Sequence, residues 1–87
     1  MNFAFVTGGS RGIGRAVCLH LAKMGYNILL NYKSNDEEAA KTKELVSELG
    51  VTCEFLKFDV SDKEDIKKVL GDWIENNKEK HIEILVN

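Results

Sequence analysis

Thr7-Gly8-Gly9-Ser10-Arg11-Gly12-Ile13-Gly14 is the stretch whose residue types and spacing could do chemistry. Glycines at 8, 9, 12 and 14 allow turns at positive φ and let the backbone pass close to a bulky ligand. The apolar run Phe3-Ala4-Phe5-Val6 before them reads as a strand buried on both faces, the kind found in parallel sheets. An amphipathic helix opens after them, near residues 11–14. Strand, glycine loop and helix N-terminus in that order make an anion site: free N–H groups and the positive end of the helix dipole face the loop, and a pyrophosphate suits that field. The spacing is T-G-x-x-x-G-x-G. It is not the G-x-G-x-x-G of the commonest dinucleotide fingerprint, nor a P-loop, because no lysine follows the last glycine. A glycine turn serving only strand-to-helix packing is the plainer alternative.

The elements that must hold this loop follow from periodicity. Ile13, Ala16, Val17, Leu21 and Met24 fall on one helical face, and Gly25 ends that helix. His20 lies within the stripe by angle and reads as a packed or rim residue, since no acid or cysteine is placed to orient it. Ile28-Leu29-Leu30 makes a second strand, so the unit is a right-handed parallel crossover. Ser34-x-x-Glu37 is a capping box for a helix with Ala39, Thr42, Val46 and Leu49 on one face and Gly50 at its end. Residues 51–58 form a third strand. Ser61-x-x-Glu64 caps a third helix, whose Ile66, Val69, Leu70, Trp73 and Ile74 share a face that makes Trp73 core. Residues 82–87 form a fourth strand, and His81 before it reads as exposed.

Composition excludes several classes of function. A hydrophobic fraction of 44% and a charged fraction of 30% are those of a globular chain, against disorder and against membrane spanning. A net charge of -2 without a basic stripe speaks against nucleic-acid binding. Cys18 and Cys53 have no metal-ligand spacing and read as buried free thiols, and no metal is expected. The first strand starts almost at Met1 with no leader before it, so the expected location is the cytoplasm. At 87 residues the chain is one small domain at most, able to bury only about 60% of its unfolded surface.

Thr7, Gly8, Gly12 and Gly14 stand as in the fingerprint of the short-chain dehydrogenase/reductase family, which this chain resembles. Two further stations match: Asp59-Val60 after the third strand and Asn87 after the fourth. The resemblance implies a Rossmann-like, doubly wound parallel sheet with strand order 3-2-1-4 in three αβα layers, the ligand lying at the carboxyl ends of strands 1 and 4. It implies one incomplete NAD(P)-binding domain over residues 1–87, about the first third of a family member. Strand 4 would then be a hydrophobic edge, prone to self-association.

The same resemblance implies the cofactor contacts. The pyrophosphate would sit on the loop of Thr7, Gly8, Ser10, Arg11, Gly12, Ile13 and Gly14. Asp59 would meet the adenine amino group and the Val60 amide its ring, with Asn87 beside the cofactor. NAD-selective members place an acid at the position of Tyr32, where a 2′-phosphate would be repelled. Basic residues at Arg11 and Lys33, with Ser10 and Ser34 as further donors, mark NADP(H) as the expected cofactor; the alternative is that both cations are solvated surface charges. The implied parent activity is NADPH-dependent reduction of a 3-oxoacyl thioester carried on acyl carrier protein, in fatty acid synthesis, by a homo-oligomer, a tetramer in the family. The family's catalytic serine and Tyr-x-x-x-Lys pair are not among these 87 residues, so no catalytic residue is assigned and the chain alone is expected to be inactive. Reductases of sugars, steroids or acetoacetyl-CoA stay open, as do a non-catalytic nucleotide-binding or interaction module and an inert fragment.

Overall fold

The computed structural model describes residues 2–8, 12–59 and 61–86. In chain order these form β1 (Asn2–Val6), α1 (Gly12–Lys23), β2 (Asn27–Tyr32), α2 (Asp36–Ser47), β3 (Cys53–Lys57), α3 (Lys63–Asn76) and β4 (His81–Val86). The four strands make one parallel sheet in the order β3-β2-β1-β4, as expected from the sequence. The two central strands are the apolar runs: Phe3, Ala4, Val6, Ile28, Leu29 and Leu30 have no exposed surface. Their alternation splits the core into two layers. Ala4, Val6, Ile28, Leu30 and Tyr32 pack against Cys18, Leu21 and Ala22 of α1 and Ala39 and Val46 of α2. Phe3, Phe5 and Leu29 pack on the other face with Leu56, Phe58 and Trp73 of α3. Trp73 anchors that helix, with its ring edge-on to Phe3 at 5.3 Å.

β4 joins β1 with a register shift, Phe3 pairing with Ile82 and Ala4 with Ile84, so Glu83 is an extra residue in the strand. The bulge moves the side-chain alternation from one face to the other. Ile82 therefore packs on the α3 layer, while Ile84 and Val86 pack on the α1 layer.

Helix ends explain most departures from the sequence expectations. Gly25 ends α1 at φ 96°, with the Tyr26 N–H bonded to the Leu21 carbonyl at 3.2 Å and the Gly25 N–H to Ala22 at 3.0 Å, a Schellman closure as expected. Both expected N-caps are displaced by one residue. Asn35, not Ser34, caps α2, its side chain accepting from the Glu38 N–H; Asp62, not Ser61, caps α3, accepting from Glu64 and Asp65. Each site offers two adjacent good caps, and the carboxamide or carboxylate reaches the N3 amide while Ser61 is drawn to Asp59.

The faces also shift. α1 buries Cys18, Leu21 and Ala22, leaving Ile13 86% and Met24 61% exposed, because its sheet-facing stripe is centred one residue further on than the apolar spacing suggests. His20 lies outside this stripe and is exposed, not packed. Ile74 of α3 is likewise exposed, and Leu49, expected on the buried face of α2, lies exposed beyond that helix's end.

Candidate nucleotide site

The carboxyl ends of β4 and β2 flank the turn that follows β1. Thr7 ties that turn to β4, its N–H and its hydroxyl both donating to the Val86 carbonyl, at 2.9 and 3.2 Å. Gly8 has φ 64° and Gly12, which opens α1, has φ 64°. Among the described residues, a Cβ at either position would meet no atom within 4 Å, so the backbone conformation is what calls for glycine. No acidic residue lies in the first turn of α1, which leaves the positive helix end uncompensated. Ile13 is exposed there and Gly14 partly buried. Ser10, Arg11, Val60 and Asn87 lie outside the described residues.

At the next strand end, Tyr32 turns its ring into the α1–α2 layer, edge-on to Phe55 at 5.3 Å, and its hydroxyl donates to Asp36 Oδ1 at 2.8 Å. That hydrogen bond to a carboxylate, followed by burial, raises the phenol's pKa. Asp36 is correspondingly lowered, by the Tyr32 bond first and by Lys57, whose Nζ stands 3.1 Å from Oδ1. Position 32 thus presents no carboxylate of its own. Lys33 and Ser34 are exposed. The Lys33 ammonium reaches across to β3's end and pairs with Asp59 Oδ2 at 3.4 Å. Asp59 is fixed from the other side by the N–H and the hydroxyl of Ser61, at 2.9 and 2.8 Å, and these bonds, ahead of Lys33, hold its carboxyl below the usual aspartate range. The structure therefore brings Thr7, Gly8, Gly12, Lys33 and Asp59 to one end of the sheet.

Two residues that sequence reading passed over hold this end together. Asn31 is 2% exposed, and its carboxamide accepts from the Gly8 N–H at 3.4 Å while donating to the Leu56 and Phe58 carbonyls, both at 3.1 Å. Its signal was a lone amide, two residues after Leu29, on a face otherwise apolar. Arg15 joins α1 to α2, with Nε donating to Thr42 Oγ1 at 2.8 Å and Nη2 to the Glu38 carbonyl and carboxylate at 3.1 and 2.7 Å. The guanidinium bond is the main cause of Glu38's lowered pKa. No spacing in the chain announces that contact, because its partners lie on a different helix.

Among the described residues no group of His, Cys, Asp and Glu is arranged to hold a metal ion, and no helix is long and apolar enough to cross a membrane. Cys18 and Cys53 are buried free thiols, as expected. A cavity of about 300 Å³ lined by Asn2, Met24, Gly25, Tyr26 and Glu83 opens at the amino ends of the strands, away from the glycine turn.

The short chain dehydrogenase family model matches residues 2–87. The L-rhamnose 1-dehydrogenase (NADP(+)) of Thermoplasma acidophilum is 54% identical over 59 residues, 68% of this chain and 23% of that enzyme. The 3-oxoacyl-[acyl-carrier-protein] reductase FabG of Staphylococcus aureus is 34% identical over 84 residues, 97% of this chain and 33% of that enzyme. Acetoin dehydrogenase from Enterobacter cloacae superposes on the whole chain with a TM-score of 0.86 at 26% identity, over 35% of its own length. The chain thus spans about a third or less of the length of each of these proteins.

Proposed function

The chain belongs to the short chain dehydrogenase family, and from that premise we propose that it is the NADP(H)-binding portion of an oxidoreductase acting on a carbonyl–alcohol pair. The observation that carries the reading is the site's charge pattern: Gly8 and Gly12 at positive φ beside the helix N-terminus, a lysine at residue 33, and at residue 32 a tyrosine where an acid would exclude a 2′-phosphate. The residues fit the cofactor. The N-terminus of α1 with Gly8 and Gly12 would take the pyrophosphate, Lys33 and Ser34 the 2′-phosphate, and Asp59 the adenine amino group. Arg11, Ser10, Val60 and Asn87 complete the proposed contacts. When bound, the nicotinamide supplies or accepts a hydride. Lys33, paired with Asp59 Oδ2 at 3.4 Å, would hold the phosphate in place of that carboxylate, which would leave Asp59 Oδ2 for the base.

For the substrate, the first reading is a 3-oxoacyl thioester on acyl carrier protein, supported by likeness to the staphylococcal reductase over nearly the whole chain. The higher identity to the rhamnose dehydrogenase over 59 residues favours a sugar as the second reading. The single domain of residues 1–87 is incomplete in this proposal, and turnover depends on a serine, a tyrosine and a lysine supplied beyond it.

Calorimetric titration with NADPH and NADH tests the cofactor. Wild type binds NADPH in preference, and Lys33→Ala loses about 10- to 100-fold of that preference, the worth of a hydrogen bond to a charged group. Equal binding of the two cofactors, unchanged by Lys33→Ala, refutes the phosphate assignment. Assay of the full-length protein with an acetoacetyl thioester and with L-rhamnose then separates the two substrate readings.

A further inference from the structure

β1 and β3 are not neighbours in the sheet, because β2 lies between them. No ladder of backbone bonds therefore joins the turn after β1 directly to the end of β3. Asn31 makes that link through its side chain. Its Oδ1 takes the Gly8 N–H of the turn, and its Nδ2 donates both hydrogens across β2 to the Leu56 and Phe58 carbonyls, the second of these next to Asp59. The group is buried and saturated on its donor side, and only a carboxamide offers one acceptor and two donors in this arrangement. The geometry points to Asn31 as a positioning residue for dinucleotide binding: its carboxamide holds the glycine turn at a fixed separation from the end of β3. This inference rests on the NADP(H) reading above, in which the pyrophosphate sits at one of those places and the adenine at the other. A ligand gripped at two points gains affinity when their spacing is set before it arrives, because the cost of ordering the site is already met by the fold.

The chemistry of the amide supplies a test that a purely structural brace would not satisfy. In Asn31→Asp the carboxylate can still accept from Gly8 but faces two carbonyl oxygens it cannot donate to, and burial there raises its pKa. Protonation returns one donor. Wild type, Asn31→Asp and Asn31→Ala in the full-length protein are titrated with NADPH at pH 8 and pH 6, at a temperature where circular dichroism shows each to be folded, and each Kd is taken relative to wild type at the same pH. Asn31→Asp is expected to bind about tenfold more weakly at pH 8 and to recover part of that loss at pH 6, whereas Asn31→Ala is weakened about equally at both. A folded Asn31→Asp that matches wild type at pH 8 overturns the inference, whatever its melting temperature. Should that variant not fold, Asn31→Ala decides: a ratio near one overturns the proposal and a weakened Kd supports it. Failure of wild type to bind either NADPH or NADH overturns the cofactor reading together with this inference, and is distinguished from the other outcomes by the wild-type titration alone.

Discussion

Trp73 should be the side chain on which the α3 layer depends. It is 7% exposed, the one fully buried residue of α3, while Ile66, Val69 and Leu70 are only partly covered. Its ring meets Phe3 of β1 edge-on at 5.3 Å, and its indole N–H donates to Glu54 Oε1 of β3 at 3.2 Å. Replacing a buried aromatic by alanine costs about 3–5 kcal/mol, against about 4–13 kcal/mol for a folded chain of this length. Trp73→Ala should therefore consume a large part of the total. Trp73→Phe keeps a ring on Phe3 and loses the N–H; Glu54 is not orphaned, since Lys80 Nζ holds its other oxygen at 2.7 Å. Its loss should stay near the ~1 kcal/mol of one hydrogen bond plus a modest packing term. In urea, with a slope of about 1 kcal/mol/M, the alanine midpoint should fall by about 3 M or more, and the phenylalanine midpoint by about a third of that or somewhat more. Far-UV circular dichroism follows both variants, and in wild type the fluorescence of this single tryptophan should report the same transition. Equal shifts for the two variants would show that the N–H, not the ring, secures α3. An alanine shift below about 0.5 M would show that the layer is not docked through Trp73 at all.

The glycine turn offers a backbone test. Gly12→Ala meets no atom of the described residues within 4 Å but must adopt φ 64°, at a cost of about 1–2 kcal/mol, seen as a lower melting temperature with weaker NADPH binding; an unchanged melting temperature would contradict the conformation. Burial pushes the Cys18 thiol up to about 12 and the Cys53 thiol to about 11, so neither should react with a thiol reagent at pH 8 until urea unfolds the chain. Rapid labelling of the native protein would refute their burial. Asp36, Glu38 and Asp59 all have pKa values lowered in the folded state, by Tyr32, Arg15 and the Ser61 donors respectively. The stability these bonds contribute is present above the ordinary carboxylate range and lost as pH falls through the lowered values. Urea midpoints should thus hold from pH 7 to 5 and drop below about pH 4, with Asp59→Asn flattening part of the fall; a midpoint that rises on acidification would reverse the assignment.

Much of this protein is local, and what is local was legible. The strand runs 3–6 and 28–30, the glycine turn between β1 and α1, the helix stops at Gly25 and Gly50 with φ 96° and 86°, and the burial of Trp73 all follow from propensity and period within a few residues of sequence. The order β3-β2-β1-β4 was legible too, through the resemblance and the handedness of parallel crossovers. Other features depend on partners far along the chain. Asn31 joins residues 23 to 27 positions away, and Arg15 reaches Glu38 and Thr42 on another helix. The choice of Asn35 over Ser34 and of Asp62 over Ser61 is, by contrast, local: at α3 Ser61 donates to Asp59 two residues before it, and the adjacent carboxylate caps the helix. The bulge at Glu83 appears only in the pairing of β4 with β1, where it puts Ile82 on one core layer and Ile84 on the other. Sequence by itself determined which segments form helix, strand and glycine turn, since those preferences are short-ranged. Tertiary structure alone decided which polar groups meet at the strand ends, since a hydrogen bond between distant residues exists only once the sheet has brought their carbonyls and amides within about 3 Å of each other.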